Sequence, residues 1–524
     1  MGRSYLWVLN EKLEIDAWPI DFANDDWHQV IYNDVIVQFF PPRDAMTNTH
    51  ADYIVVVKRE CPTCVLVEPV LAQLQAAGCS LQVWSQDDPS FPESVSEVGD
   101  DSNLEQSWRL KIETVPTVIR MKEGVETERT VGWDRSEWLR LFEQDQLADE
   151  LPGFRPGCGS KSVEPGMPEK LALRFGDIKL QSRQIVVGDM EDPMESCFER
   201  GWSDGLPVVP PTELRVVRML TGTSRDPAEV LGQVPPDLQP CTVEKVAINA
   251  VMAGCKPEYL PVVIAAVEAC LIDEFCMHGL LATTWFSGPM VIVNGPIARA
   301  IGMNSGGNAL GQGNRANATI GRALQLVIRN VGGGKPGGVD RATLGNPGKY
   351  TFCFAEDEEN SCWESLAVQR GFSPEQSTVT LFAADGVQGI ADQKSRDPES
   401  LCRSLAASLL TVGHQKFAIH SDVFIVLAPE HQRIFADAGW SKQKVIDTLM
   451  EFTTRPGSEL QPGVGGIAEG MPEFVKDMQL PKFKPGGINI VRAGGTAGLF
   501  SAIIPGWLAS GDFGSSPVSK EIVI

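Results

Sequence analysis

Two cysteines separated by two residues, Cys61 and Cys64, stand between an apolar run and a helical pattern. The run Tyr53–Val57 predicts a buried strand, and the residues from Pro62 onward predict a helix. A strand that delivers Cys61 to the first turn of a helix places its sulfur near unpaired backbone N–H groups, which favour the thiolate. The spacing therefore predicts a redox dithiol in which Cys61 is the nucleophile and Cys64 the resolving thiol.

A zinc half-site or a structural disulfide would also account for this pair. The sequence has no second C-x-x-C to complete a four-ligand zinc site, and we expect no metal. The twelve cysteines lack the spacing of a disulfide framework, which favours a reducing cytoplasm. The dithiol itself is the only redox group that we expect, with no further cofactor.

Further residues extend the pattern around the dithiol. Pro69 lies five positions after Cys64, and Pro116 lies in Val115-Pro116-Thr117, just before a strand-like run. Beyond Gly132, a short helix is expected with Ser136 as its N-cap.

With these marks, residues 51–147 resemble a thioredoxin-like domain. The resemblance implies that Pro116 belongs to a cis-proline loop facing the dithiol. The sequence departs from thioredoxin at Val55, where that family has a buried aspartate, and at Glu60, where it has a tryptophan. Because of these two departures, the resemblance does not fix the redox potential of the dithiol or the route of proton transfer.

Length and charge bound the remaining functions. A chain of 524 residues allows two or three domains and a large core. The formal net charge of -23 makes nucleic acid and anionic membrane surfaces poor partners. The longest apolar stretch, residues 259–286, contains three acidic residues and predicts a buried helix instead of a membrane span.

The expected fold class is α/β throughout. Residues 1–50 read as an N-terminal extension with strand character at 35–40, and the composition of residues 148–189 predicts a linker in which Cys158 is exposed. Residues 190–524 alternate strand-like and helical segments, which predicts a large α/β domain with a mostly central sheet. No sequence repeat is detectable in it.

The large domain has one segment rich in glycine and asparagine between a strand and a helix. Loops at the carboxyl ends of strands commonly bind ligands, and free N–H groups at a helix start suit an anion. The candidate substrate-binding residues are Asn294, Asn304, Asn308, Gly313, Asn314, Arg315 and Asn317. The alternative is that these residues only cap and turn the backbone, with Gly321 allowing close helix packing.

Four more residues are candidates for catalysis. Cys353 and Glu356 belong to a segment with four consecutive acidic residues, and Glu356 could act as a general base. Cys255 precedes Lys256 at a break between helices, which could activate its thiol. His278 could transfer protons. In each case the alternative is a residue with a packing or surface role.

The large domain is also similar to a family of poorly characterised bacterial proteins, associated with small proteins named for a Sec-Gly-Ser-Cys motif (UGSC). The strings that carry this similarity are residues 205–212, 249–259 and 313–322, with 349–356 in addition. The resemblance implies a redox setting and supplies no substrate. The stretch from Cys158 to Lys161 echoes that motif weakly, and the sequence alone attaches no meaning to it.

Together these features predict an enzyme, a thiol-dependent oxidoreductase in which the dithiol supplies electrons for reduction or reductive cleavage of a small anionic substrate in the large domain. One alternative is a sulfur-transfer or C–S bond enzyme that uses the dithiol for product release. Another is a redox-switched ligand-binding protein. Expected partners are the small substrate and a thiol electron donor such as a thioredoxin reductase or glutathione system, and a homo-oligomer is compatible with the sequence.

Overall fold

The computed structural model describes residues 5–8, 51–176, 178–419, 421–508 and 514–524. They belong to two compact units. The first unit ends at Lys179, and the second unit is Leu180–Ile524 together with the N-terminal strand β1 (Tyr5–Val8). Both units mix helices and strands, so the predicted α/β class is confirmed. The strand predicted at 35–40 lies outside the described residues.

The first unit is built on a five-stranded sheet in the order β4-β3-β2-β6-β7. The strands of the unit, including the short ones outside this sheet, are β2 (Tyr53–Val57), β3 (Leu81–Ser85), β4 (Val98–Asp100), β5 (Thr114–Val115), β6 (Thr117–Lys122), β7 (Val125–Val131), β8 (Trp133–Asp134), β9 (Phe154–Arg155) and β10 (Cys158–Gly159). Its helices are α1 (Pro62–Ala76), α2 (Glu105–Arg109), α3 (Arg135–Leu141) and α4 (Met167–Phe175), with a 3-10 turn at Lys161–Val163. The central strand β2 is parallel to β3 and antiparallel to β6, and all its residues are buried.

Two predictions about the first unit need correction. Asp134, and not Ser136, caps α3, because its carboxylate accepts the N–H groups of Ser136 and Glu137. Residues 148–179, predicted as most of a linker, group with the first unit. The composition of this stretch misleads because some of its apolar side chains pack against the first unit: Ala148 is buried in the core of that unit, and Leu151 packs against this core.

The second unit contains the remaining elements. Its strands are β11 (Arg183–Val186), which pairs with β1, β12 (Val230–Val234), β13 (Gln239–Thr242), β14 (Gly288–Asn294), β15 (Cys353–Ala355), β16 (Thr378–Ala384), β17 (Gln388–Ala391), β18 (Val423–Leu427), β19 (Arg455–Pro456), β20 (Gln479–Leu480), β21 (Ile488–Arg492), β22 (Phe500–Pro505) and β23 (Val518–Glu521). Its helices are α5 (Pro193–Glu199), α6 (Glu213–Leu220), α7 (Val243–Ala253), α8 (Leu260–Cys270), α9 (Met277–Ala282), α10 (Pro296–Ala300), α11 (Arg315–Asn330), α12 (Leu366–Gln369), α13 (Pro398–Leu409), α14 (Pro429–Asp437) and α15 (Lys442–Thr453). Short 3-10 turns lie at Pro257–Tyr259, Asp273–Phe275, Pro347–Lys349, Gly457–Glu459, Val464–Gly466 and Glu473–Val475.

The apolar stretch 259–286 forms α8, a 3-10 turn and α9 instead of one helix. The residues of α8 are almost all buried, as the sequence predicts. Across the part of the chain that is described, no helix has both the length and the apolar character needed to cross a bilayer.

Two four-stranded sheets, and not one central sheet, organise the second unit. Their orders are β15-β14-β16-β23 and β21-β18-β22-β17. In each sheet one inner strand, β14 or β18, is parallel to the next strand of that sheet along the chain, β15 or β21, and antiparallel to the one after it, β16 or β22. The unit has two halves along the chain, β14–β17 and β18–β23, and the fourth strand of each sheet is antiparallel and comes from the other half. Strand β17 follows β16 along the chain but pairs with β22, whereas β23 pairs with β16. The two halves therefore share one plan and exchange their edge strands.

The two sheets share an apolar core that contains residues of both. Phe382 of β16 and Phe424 of β18 meet there with ring centroids 4.8 Å apart. Alternate residues of β18, such as Ile425, point to a second core that includes side chains of α13 and α15. The strands β14 and β16 are in turn contacted by α11 and α8. The result is four layers, helices on sheet on sheet on helices.

Candidate functional site

The local fold of the first unit places the two cysteines where the sequence predicts. Strand β2 ends at Val57, and Cys61 is the N-cap of α1, with Pro62 as the first helical residue. The Cys61 sulfur accepts the backbone N–H of Cys64 at 3.4 Å. Both cysteines have no exposed surface.

The surroundings of the two sulfurs separate their acidities. Hydrogen bonding from the Cys64 thiol, with smaller contributions from Cys158 and the first-turn N–H groups, outweighs burial and lowers the pKa of Cys61 to about 5. Burial raises the pKa of Cys64, and the neighbouring Cys61 sulfur adds to that effect. At neutral pH, Cys61 is therefore the thiolate and Cys64 the thiol.

This difference in acidity can be measured from the ultraviolet absorbance of the thiolate. We expect the absorbance difference between the reduced wild-type protein and Cys61→Ser to appear as pH rises through about 5 and to stay level to neutral pH. The sign follows from the lowered pKa, since Cys61 loses its charge only when pH falls below that value. A difference that appears only near the ordinary thiol range would contradict the assignment of Cys61 as the thiolate.

The loop that contains Pro116 lies beside the dithiol. The Val115–Pro116 peptide bond is cis, and the carbonyl oxygen of Val115 is 3.4 Å from the Cys61 sulfur. The Thr117 hydroxyl donates to the carbonyl of Thr114 at 2.6 Å, which closes the loop. Pro116 therefore lies in a cis-proline loop beside the Cys61 sulfur.

Cys158 is the residue that the sequence misplaced. It was expected to be exposed in a linker, but it is half-buried on β10, and its sulfur is 2.8 Å from the Cys61 sulfur. Ninety-odd residues separate the two cysteines along the chain, so no local spacing joins them. The structure therefore brings a third thiol to the dithiol.

In the second unit, loops from both halves meet at the carboxyl ends of the parallel strands. Arg492, at the end of β21, donates from Nε to the Asp357 carboxylate beyond β15 at 2.8 Å, and its carbonyl accepts the Asp357 N–H at 2.8 Å. The N–H of Gly494 donates to Ser305 in the glycine- and asparagine-rich loop at 2.9 Å. Beside this junction lies an open depression of about 450 Å³ lined by Met303, Asn304, Gly307, Gln312, Gly313 and Asn314.

The asparagine side chains of this loop are used mainly to hold its backbone. Asn317 donates to the carbonyl of Asn304 at 2.8 Å and accepts the Asn304 N–H at 3.0 Å. Asn308 and Asn314 donate to the loop carbonyls of Gln312 and Gly302, each at 2.7 Å. The amides thus support the capping and turning role that the sequence left as an alternative to ligand binding.

Arg315 differs from its asparagine neighbours. It is exposed at the start of α11 and donates from Nε to the carbonyl of Gly254 at 2.9 Å. Within the described residues its two terminal nitrogens have no acceptor at hydrogen-bond distance. It is the cation of this loop that is best placed to meet an anion.

Of the remaining catalytic candidates in the second unit, the two cysteines are not activated thiols. Cys255 is buried, its sulfur lies 3.4 Å from the Thr319 carbonyl, and burial raises its pKa to about 12. Lys256, expected to activate it, lies near Glu258 instead. Cys353 is also buried, with a raised pKa of the same cause. Burial keeps both thiols protonated, so the structure does not support the prediction that either one is reactive.

His278 and Glu356 lie on different elements. His278 is exposed on the short helix α9. Glu356 follows β15 and is buried, and its carboxylate accepts the Asn294 amide at 2.7 Å and the Leu366 N–H at 2.8 Å. Burial raises the pKa of Glu356, against the lowering effect of the nearby Lys442 charge. Both Asn294 and Glu356 are therefore inside the core, and neither lines the depression.

The three strings that carry the bacterial resemblance pack against one another around α11. Arg322 forms a two-pronged ion pair with Asp204, at 2.8 Å for each hydrogen bond, and donates to the Pro207 carbonyl at 2.9 Å. A side chain at Gly321 would lie 2.8 Å from the backbone nitrogen of Phe352, so close helix packing requires glycine there. Residues of these strings therefore hold the second unit together.

Comparison with known proteins assigns no family to this chain. No family model matches the chain, and no curated protein matches it.

Proposed function

We propose that this chain is a thiol-dependent oxidoreductase with a thioredoxin-like first unit, whose dithiol supplies electrons for reduction of a small anionic substrate in the second unit. The observation that carries the proposal is the position of Cys61 at the N-cap of α1, one helical turn from the buried Cys64, where hydrogen bonds lower the pKa of Cys61. The position of the dithiol, after the central strand of a mixed sheet and beside the Pro116 loop, supports the thioredoxin-like assignment. The unpaired state of all twelve cysteines supports a reducing cytoplasm as the location.

The reduction of a disulfide by this pair proceeds in two exchanges. The Cys61 thiolate attacks one sulfur of the substrate disulfide, forms a mixed disulfide and releases the other sulfur as a thiolate. That released thiolate takes the proton of Cys64, whose sulfur then attacks Cys61, closes the Cys61–Cys64 disulfide and releases the second product thiolate. Two electrons pass from the dithiol to the substrate, and a dithiol reductase or glutathione must restore the dithiol.

The proposal that the substrate is anionic is based on the glycine-rich loop and on Arg315 beside it. Arg315 directly follows Asn314, which lines the open depression, and a guanidinium binds carboxylate or phosphate with two parallel hydrogen bonds. The burial of Cys255 and Cys353 argues against a covalent adduct in the second unit. Electrons for chemistry there would come from the first unit.

A second candidate function is a redox-switched binding protein. It is favoured by the same burial of Cys255 and Cys353, because binding needs no reactive group beside the depression. In that case the dithiol would report oxidation without turning over a substrate.

The coupled oxidation of NADPH distinguishes these functions. The full chain is supplied with NADPH and either a thioredoxin reductase or glutathione with glutathione reductase, and is offered a small disulfide with carboxylate groups. We expect the chain to accelerate NADPH oxidation, and Cys79→Ser, which alters a partly buried cysteine of the first unit, to keep the activity. No acceleration with either donor, together with a change in carboxylate affinity on oxidation of the dithiol, would establish the second candidate instead.

A further inference from the structure

The segment 156–159 lies against the proline loop in the manner of an added strand. Strand β10 pairs antiparallel with β5, with Cys158 opposite Val115 and Gly159 opposite Thr114. Val115 directly precedes Pro116, so this pairing aligns Cys158 with the edge beside the dithiol. A strand added to an exposed edge is a common mode of peptide recognition.

Several hydrogen bonds hold this docked segment, residues 156–159, in place. The Thr63 hydroxyl, inside the C-x-x-C turn, donates to the carbonyl of Pro156 at 2.6 Å. Lys58 donates to the carbonyl of Gly159 at 2.8 Å. The following residue, Ser160, donates its N–H to the carbonyl of Glu113 at 2.9 Å. The segment is therefore fixed on both sides of Cys158.

The fit of the docked segment is tight at one glycine and loose at another. A side chain at Gly157 would bring its first carbon 2.8 Å from the Val115 carbonyl oxygen and would also clash with the Thr114 methyl group. A side chain at Gly159 would meet nothing within 4 Å. The chain thus offers a matched pair of positions with which to displace the segment or leave it in place.

Access to the Cys61 sulfur is controlled by this arrangement. Cys61 has no exposed surface, whereas Cys158, 2.8 Å away, is partly exposed. The Cys158 thiol is also in hydrogen-bond contact with the Cys61 sulfur and is among the groups that lower the pKa of Cys61. The third thiol is thus the one that solvent reaches first.

We propose that Cys158 is the third redox thiol of the site, and that the docked segment is a built-in substrate whose sulfur exchanges with the Cys61–Cys64 disulfide. The step is an exchange without net oxidation. The Cys158 thiolate attacks Cys61 in the Cys61–Cys64 disulfide, forms the Cys61–Cys158 disulfide and releases Cys64, which takes up a proton. This inference rests on the proposed oxidoreductase function and assigns the site an internal partner, through which oxidising equivalents pass between the buried Cys61 and the surface.

Oxidised glutathione tests the pairing in the full-length Cys64→Ser protein. One of the two thiols, Cys158 or Cys61, attacks oxidised glutathione and releases one glutathione, and the other thiol then displaces the second one. We expect the intact mass to show a protein without bound glutathione, and peptide mapping to find Cys61 joined to Cys158. The variant with both Cys64→Ser and Cys158→Ser should retain glutathione on Cys61, at least about tenfold more than the single variant.

The glycine pair gives a test that leaves all the relevant sulfurs in place. In the Cys64→Ser background, Gly157→Ala should lower the yield of the Cys61–Cys158 disulfide severalfold, and Gly159→Ala should leave it unchanged. Equal retention of glutathione in the presence and absence of Cys158 would overturn the inference, as would equal yields from the two alanine variants.

The third-thiol inference and the proposed oxidoreductase function can fail independently in these tests. If the wild-type chain reduces disulfides but Cys64→Ser keeps its glutathione, only the third-thiol inference fails. If the wild-type chain turns over no disulfide while Cys64→Ser forms the Cys61–Cys158 bond, the pairing stands and the oxidoreductase function fails.

Discussion

Replacement of Cys61 by serine is expected to reduce disulfide turnover by at least about a hundredfold, whereas Cys64→Ser should be unable to close the Cys61–Cys64 disulfide and should accumulate Cys61 in another disulfide. The reason is the division of roles between the two sulfurs. Only the Cys61 thiolate is charged at neutral pH, and a serine hydroxyl cannot replace it as a nucleophile. Cys64 is buried and protonated, so it acts after the first exchange.

The measurement is NADPH oxidation coupled to reduction of a small disulfide, followed by mass spectrometry of the stopped reaction. Cys79→Ser serves as the control, because Cys79 packs in the same unit but follows the carboxyl end of α1, whereas Cys61 is at the opposite end of that helix. Turnover by Cys61→Ser within a few-fold of wild type would remove the dithiol from the mechanism. In Cys64→Ser, the trapped partner is the substrate fragment or, if Cys158 displaces it, Cys158.

Removal of the Glu356 carboxylate should destabilise the second unit by about 3 kcal/mol. Glu356→Ala leaves the Asn294 amide and the Leu366 N–H without their acceptor in a buried setting. It also removes a negative charge close to Lys442, which is itself buried. We therefore expect a structural effect, in contrast to the general-base role that the sequence suggested for this residue.

Urea unfolding of the full chain measures this loss in the transition of the second unit. Glu356→Gln keeps an acceptor oxygen of similar shape and should cost only roughly 1 to 2 kcal/mol. Glu359→Ala is the surface control, since Glu359 is an exposed partner of Arg299, and its effect should stay within about 0.5 kcal/mol. If Glu356→Ala left stability unchanged and abolished turnover, the catalytic interpretation would be correct after all.

Much of the order of elements could be read from the sequence because it depends on local signals. The strands at Met290 and Val423 and the helix α11 are found where apolar runs and helical periodicity predict them. Ser441 caps α15 by accepting the N–H of Lys444, and a serine just before a helical pattern is such a local signal. The division into two sheets could not be read, because strand pairing between distant residues, such as Val291 with Cys353 or Thr378 with Glu521, leaves no periodic signal.

The same contrast applies to the candidate sites. The dithiol could be predicted since Cys61, Cys64 and the strand before them lie within a dozen residues. Cys158 was missed because its relation to Cys61 is created by the pairing of β10 with β5 and not by any spacing. Burial, which decides that Cys255 is unreactive, depends on the packing of α11 and could not be judged from Lys256 beside it.

The crossed edge strands of the second unit limit how its polypeptide can be divided. A fragment that ended after β17 would lack β23, and one that began at β18 would lack β17, so each would present an open sheet edge, which invites aggregation. The first fragment contains β17, which the second lacks, and the second contains β23, which the first lacks. Their geometry is the one that a strand-swapped homodimer would adopt if its chains were fused end to end.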